Sequence, residues 1–351
     1  MKQAVSKMNW SNELLDLQRQ VGDAAADDTI SNIFKKNQQA EFYKLFSLSE
    51  KEISNLKSDH PGKEFLLSPK PIPTWYDERR ILSGQRVFEN YAMPIMTLLG
   101  LMSLPYCYAA SPGNKALYLT EKMRKSPGKR LAETGEFTLT VQQSGNLEAG
   151  KSGLFQINKT RLIHAMARYY LQKGTWDISW GVPINQEDMA GTNMAFSYVI
   201  LLGLQLSGHV LSDREKEDFL FVWKYIGYQL GIDEALLPNN FQEARLLSEK
   251  IKKRNFKKTE EGIVLTKELV NYYESVLPKP QALFASSQIR YFLGKEASAM
   301  IGLAEDSVKD KLVGFTNSYK ELQNLFTLPK NQMSELMENY QAMKAKGGKS
   351  S

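Results

Sequence analysis

The segment Thr160-Arg-Leu-Ile-His-Ala-Met-Ala-Arg168 carries three reactive side chains at helical spacing. At about 100° per residue, Arg161, His164 and Arg168 fall within roughly 60° of one another on one helical face. Leu162, Ile163, Ala165, Met166 and Ala167 surround that face with apolar surface. An imidazole framed by two guanidiniums would suit a haem, with His164 as axial ligand to the iron and the arginines meeting the anionic propionates. The same spacing also suits a partly buried histidine bonded to a backbone carbonyl beside two snorkelling arginines, and spacing alone leaves both readings open. Upstream, Lys129-Arg-Leu-Ala-Glu-Thr-Gly135 places Arg130, Glu133 and Thr134 at i, i+3 and i+4. On a helix these project a cation, a carboxylate and a hydroxyl together, although a surface Arg130–Glu133 pair with an incidental threonine would satisfy the pattern too.

The elements that must position these groups read as helices. Amphipathic stretches run from Asn12 to Gly22 and Thr29 to Ser47, and a Pro-rich passage from Pro69 to Pro73 leads into Trp75-Tyr-Asp77. Helical periodicity follows at 77–91, 94–110, 115–125 and 128–137. Asn185 with Asp188, Ser212 with Glu215 and Asn240 with Glu243 are N-terminal capping patterns. The first opens an apolar helix toward Gly208, and Gly231 ends the second. Further helices are expected at 265–276, 281–292, 308–326 and 331–345, and Glu136-Phe-Thr-Leu-Thr-Val141 is the one strand-like patch. Without alternating strands there is no parallel sheet to build, so the expected class is all-α. The expected organisation is an N-terminal helical extension over 1–65, a central domain over 66–310, and C-terminal helices with a flexible tail over 311–351.

Composition narrows the function classes. The 351 residues are 42% hydrophobic and 24% charged, which fits a globular chain and neither a disordered nor a fibrous one. Cys107 is the single cysteine, so a disulfide framework and a cysteine-based zinc site are excluded, and a reducing, cytoplasmic setting is expected. The first residues lack the apolar core of a secretory signal. A net charge of +6 and the run Lys250-Ile-Lys-Lys-Arg-Asn-Phe-Lys-Lys258 raise nucleic acid as a partner. With no reader fold beside it, the run is read as a solvated helix end. The apolar stretches 93–110 and 194–206 are read as core helices rather than membrane spans, the first interrupted by Pro94, Gly100 and Pro105. Gly145-Asn-Leu-Glu-Ala-Gly-Lys-Ser152 matches the phosphate-binding P-loop pattern. No later strand ends in the aspartate that magnesium needs, so it is read as a Gly/Ser loop before the His164 helix.

Taken in order, Trp75-Tyr-Asp77 before a helix containing Gly84, Arg130 to Thr134, Arg161 to Arg168, and Trp180-Gly-Val-Pro-Ile-Asn-Gln-Glu-Asp188 with Phe196 and Gly203 downstream form a set. That set resembles the latex-clearing, rubber-cleaving oxygenases and the related MpaB-type oxygenases over about residues 70 to 300. The resemblance implies a globin-like helical core holding one haem b non-covalently. His164 matches the proximal iron ligand, and Arg161 and Arg168 match arginines of its helix, assigned to propionates or to orienting that helix. Arg130 and Thr134 match distal-side residues. Glu133 departs from the pattern, because rubber-cleaving members carry there a lysine that can cap the iron in a closed form. A carboxylate in its place could leave the sixth position open or water-bound, or act as a base. The implied function is a haem-dependent oxygenase that uses O2 on an unsaturated hydrophobic substrate of isoprenoid or lipid type. The alternative is a non-catalytic haem or hydrophobic-ligand binder on the same scaffold. No oligomeric state is implied.

Overall fold

The computed structural model describes residues 10–120, 126–277, 282 and 284–305. Among the described residues seventeen α-helices are labelled in chain order: α1 Asn12–Gln18, α2 Ala24–Lys35, α3 Gln39–Lys44, α4 Glu50–Ser54, α5 Lys63–Leu67, α6 Glu78–Asn90, α7 Ala92–Leu98, α8 Leu104–Ala109 and α9 Gly113–Leu119. There follow α10 Pro127–Gln142, α11 Ser152–Lys173, α12 Gln186–Phe196, α13 Tyr198–Leu206, α14 Asp213–Gln229, α15 Phe241–Asn255, α16 Glu260–Val276 and α17 Ala285–Met300 completes the series. No strand occurs among the described residues, and the one β-bridge joins Ala110 to Phe256. The fold is all-α, as expected.

The capping patterns work as the sequence implies. Asn185, Ser212 and Asn240 each accept a hydrogen bond from the backbone N–H three residues on, satisfying donors that the first turn leaves open. Asp77 does the same for α6 through Arg79 and Arg80. Gly231 ends the α14 segment at φ +87°, the left-handed conformation that glycine adopts without a Cβ clash.

Two expectations need correction. The strand-like patch 136–141 lies inside α10, where Thr138 Oγ1 donates to the Thr134 carbonyl at 2.9 Å. Its threonines satisfy themselves locally, and packing against α11 overrides β-propensity. The helix from Asn185 toward Gly208 breaks at Ser197 (φ −118°, ψ −84°), whose Oγ donates to the Asn193 carbonyl. The P-loop-like segment connects two helices, with Gly145 and Gly150 at positive φ, and no strand precedes it. The expected elements at 308–326 and 331–345, the ends of those at 115–125 and 281–292, and the first residues lie wholly or partly outside the described residues.

The main core gathers α6, α7, α8, α12, α13 and α14, with Phe88, Phe219 and Tyr225 nearly or fully enclosed. Helices α6 and α14 form the most extensive contact, made possible by Gly84. A Cβ there would sit 2.2 Å from the Asp218 carbonyl oxygen. The stretches 92–109 and 186–206 are long and apolar enough to cross a membrane, and both are mostly buried inside this core. A second core packs Ala26, Ile30, Phe34, Phe42, Ile53 and Leu66 against Phe155, Leu162 and Ala165. The segment 24–67 therefore shares its hydrophobic interior with one face of α11. Helix α11 also packs against α10, and the two candidate clusters lie on these adjoining helices.

Candidate functional site

Helix α11 carries His164 in its middle, where helical backbone bonds leave the ring as the only group seeking a partner. Its Nδ1 is fully enclosed and makes no hydrogen bond. Burial, reinforced by the Arg168 and Arg130 guanidiniums, pushes its pKa down to about 3, while Asp23 opposes the shift weakly. The imidazole is therefore neutral across the physiological range. The residue sits deep in the protein yet keeps partial accessible surface. An enclosed nitrogen without a partner costs roughly 1–3 kcal/mol, and such a group calls for a water or a ligand.

The two arginines of this face are turned to α2. Arg161 donates from Nε and Nη2 to both oxygens of Asp23 at 2.7 and 3.0 Å, and its guanidinium lies 4.7 Å from the Phe65 ring centroid. Arg168 donates from Nε to Asp27 at 2.7 Å and from Nη1 to the Ile184 carbonyl at 3.2 Å. Burial raises the Asp27 pKa, and Arg168 works against that rise. The fork of Arg161 is thus engaged by a carboxylate, whereas Arg168 keeps Nη2 enclosed and unclaimed. Of the two roles open to them, orienting α11 is the one these contacts support.

Helix α10 places Arg130, Glu133 and Thr134 on consecutive turns. Arg130 Nη1 donates to Thr134 Oγ1 at 2.6 Å, and that hydroxyl donates to the Arg130 carbonyl at 3.0 Å. The cation and hydroxyl therefore form one unit. Glu133 is half-buried. Arg130 acts electrostatically on both His164 and Tyr108, so these three groups share one region. Tyr108 was not singled out by sequence reasoning. Its phenol is enclosed without a partner, and burial raises its pKa far above the ordinary value. It sits in an apolar run, where nothing in the local pattern marks a tyrosine as different from core.

The remaining histidines lie elsewhere. His209 packs edge-on against Tyr91 at 5.5 Å, and His60 is in a turn beside Pro61. No group of three or more His, Cys, Asp or Glu among the described residues could hold a metal by itself. A metal at His164 would have to arrive with most of its coordination already filled, as iron does in a porphyrin. A single neutral imidazole with an unclaimed nitrogen fits that requirement. Two described clefts, of about 550 and 480 Å³, are lined by other parts of the surface.

Comparison with known proteins gives three findings. The family described as ER-bound oxygenase mpaB/B'/Rubber oxygenase, catalytic domain, matches residues 91–322. A rubber oxygenase of Streptomyces sp. strain K30 is 24% identical over 302 residues, covering 84% of this chain and 73% of that protein. The structure of a latex clearing protein in the closed state is similar with a TM-score of 0.74 at 21% identity, over 92% of this chain and 90% of that one. At that identity the structural likeness speaks for the fold.

Proposed function

Because this chain belongs to the ER-bound oxygenase mpaB/B'/rubber oxygenase catalytic-domain family, we propose that it is a haem b-dependent oxygenase that uses O2 on an unsaturated, polyisoprene-like hydrophobic substrate. The observation that carries the reading is His164, a deeply placed, neutral imidazole whose Nδ1 has no partner. Bound haem would supply the dioxygen chemistry, as cofactors generally do for such reactions. His164 would hold the iron, and its neutrality means that no proton has to leave before it ligates.

The chain's other groups orient and polarise. Asp23 and Asp27 hold Arg161 and Arg168, and so fix the rotation of α11 and the direction of the imidazole. Arg130, with its hydroxyl partner Thr134, keeps a positive charge near His164 and would stabilise negative charge developing on that side. The name of the Streptomyces relative supports a polyisoprene-like substrate.

Expression with adequate haem supply tests the reading. The purified chain should show a Soret band and consume O2 when given a polyisoprenoid. His164→Ala should lose the band while His209→Ala keeps it. A chain without the band, or a His164→Ala variant with undiminished haem, would overturn the assignment. A haem-loaded ferrous protein that never turns over a polyisoprenoid would show a binder instead.

A further inference from the structure

The cleft of about 550 Å³ lies at the meeting of α1, the turn before α9, the turn at Ile178–Trp180 and the C-terminal end of α15. Its charged lining is entirely cationic: Arg19, Lys115, Lys250, Lys253, Arg254 and Lys257, with no carboxylate among the lining residues. Half of these cations are fixed from behind. Glu187, fully buried, accepts from Arg19 Nε at 3.0 Å and Arg254 Nε at 2.9 Å, and Asn255 donates to it at 3.1 Å. Lys115 pairs with Glu261 and lies 4.5 Å from the Trp180 ring centroid. The other half have no ion-pair partner among the described residues. Lys253 and Lys257 are exposed and Lys250 is half-buried.

A solvated helix end accounts for part of this. Lys253 and Arg254 lie in the last turn of α15, where the helix dipole favours cations. It does not account for the concavity, nor for Lys250, Lys253 and Arg254 recurring at i, i+3 and i+4 on one face of α15, with Lys257 just beyond the helix end, where like charges repel. Arg254 is also paired with the exposed Asp16 at 2.5 Å, which leaves Lys250, Lys253 and Lys257 as the lining cations without a counter-charge among the described residues. A concave surface of one sign concentrates potential and draws in an anion. The volume falls in the range of small-ligand sites, well short of a nucleic-acid track. Three unpaired ammonium groups match the charge of a diphosphate, about three negative charges near neutrality.

We propose that this cleft binds the diphosphate group of a small molecule, with Lys250, Lys253 and Lys257 as its mobile donors and Arg19 and Arg254 as fixed ones. The site is separate from His164, so its test is independent of the oxygenase reading. Isothermal titration of the full chain with inorganic pyrophosphate at low ionic strength should give one saturable site that weakens with added salt. The Lys250→Ala/Lys253→Ala/Lys257→Ala variant should bind at least about tenfold more weakly with an unchanged thermal midpoint. Should that variant fail to fold, the three glutamine substitutions serve the same comparison. Parallel titrations with a nucleoside diphosphate and a prenyl diphosphate identify the source. A gain over pyrophosphate with either one assigns an organic tail to the space beside Trp180, and equal affinity for all assigns the free anion. Orthophosphate binding as tightly as pyrophosphate, an unaltered affinity in the folded triple variant, or binding seen only with oligonucleotides and growing with their length would each overturn the proposal.

Discussion

An imidazole whose pKa falls from 6.5 in an open chain to about 3 in the fold makes stability depend on acid. Below the open-chain value the unfolded chain takes up a proton that folded His164 refuses. The stability tied to this group is therefore complete above pH 6.5 and is lost as pH falls toward 3. Its slope reaches at most about 1.4 kcal/mol per pH unit. Urea unfolding between pH 7.5 and pH 4.5 should show a steeper loss for the native chain than for His164→Gln; parallel curves would mean that the ring is solvated in the fold. Glu133 invites a second measurement at this scale. If it faces the iron of the proposed haem, Glu133→Lys should shift the absorbance toward a six-coordinate spectrum, and an unchanged spectrum would place position 133 away from the metal. The residue types at both positions were legible in the sequence. The enclosure of His164 Nδ1 and Tyr108 was not, because burial is contributed by segments distant in the chain.

Helix ends were written locally and were read correctly, since a cap involves residues three apart. What holds one helix to another is less visible. Gly84 admits α14 to within backbone contact, so Gly84→Ala should cost about 1–3 kcal/mol by forcing α6 and α14 apart, measured by denaturant unfolding. Buried ion pairs do the same for other elements. Glu187 joins α15 to the segment just beyond α1 through Arg254 and Arg19, and Glu187→Gln removes the buried carboxylate they share, leaving Arg19 with Asp188 and Arg254 with Asp16 alone. Asp23→Asn similarly strands Arg161 at the α2–α11 junction. Asp23→Asn should lower stability by about 3–5 kcal/mol and Glu187→Gln by less, and wild-type unfolding midpoints would refute the weight given to these pairs. Asp23→Asn should in addition weaken haem retention, since it frees the helix that carries His164. The patch 136–141 misled for the converse reason: its β-branched residues carry a strand signal, and only the α11 contact shows that a helix is the lower-energy choice.

At the scale of the molecule, the segment ahead of the Pro-rich passage forms one hydrophobic interior with α11. Removing residues 1–67 would strip Asp23 and Asp27 from their arginines and expose Phe155, Leu162 and Ala165. The truncated chain should aggregate or lose haem, as size-exclusion chromatography with absorbance detection would show; a monomeric, haem-loaded remainder would establish the extension as dispensable. The sequence by itself determined the all-α class, the helix caps, and the order of Trp75, Arg130, His164 and Trp180 that marks the family. These follow from periodicity and from interactions a few residues long. Tertiary structure alone decided that Arg161 and Arg168 meet Asp23 and Asp27, partners 138 and 141 residues away, and that the basic run 250–258 closes a cleft with Arg19 and Lys115. The physical reason is one of range. A 3.6-residue repeat states which side chains share a face, but the partner of that face is chosen by how the whole chain buries its apolar surface.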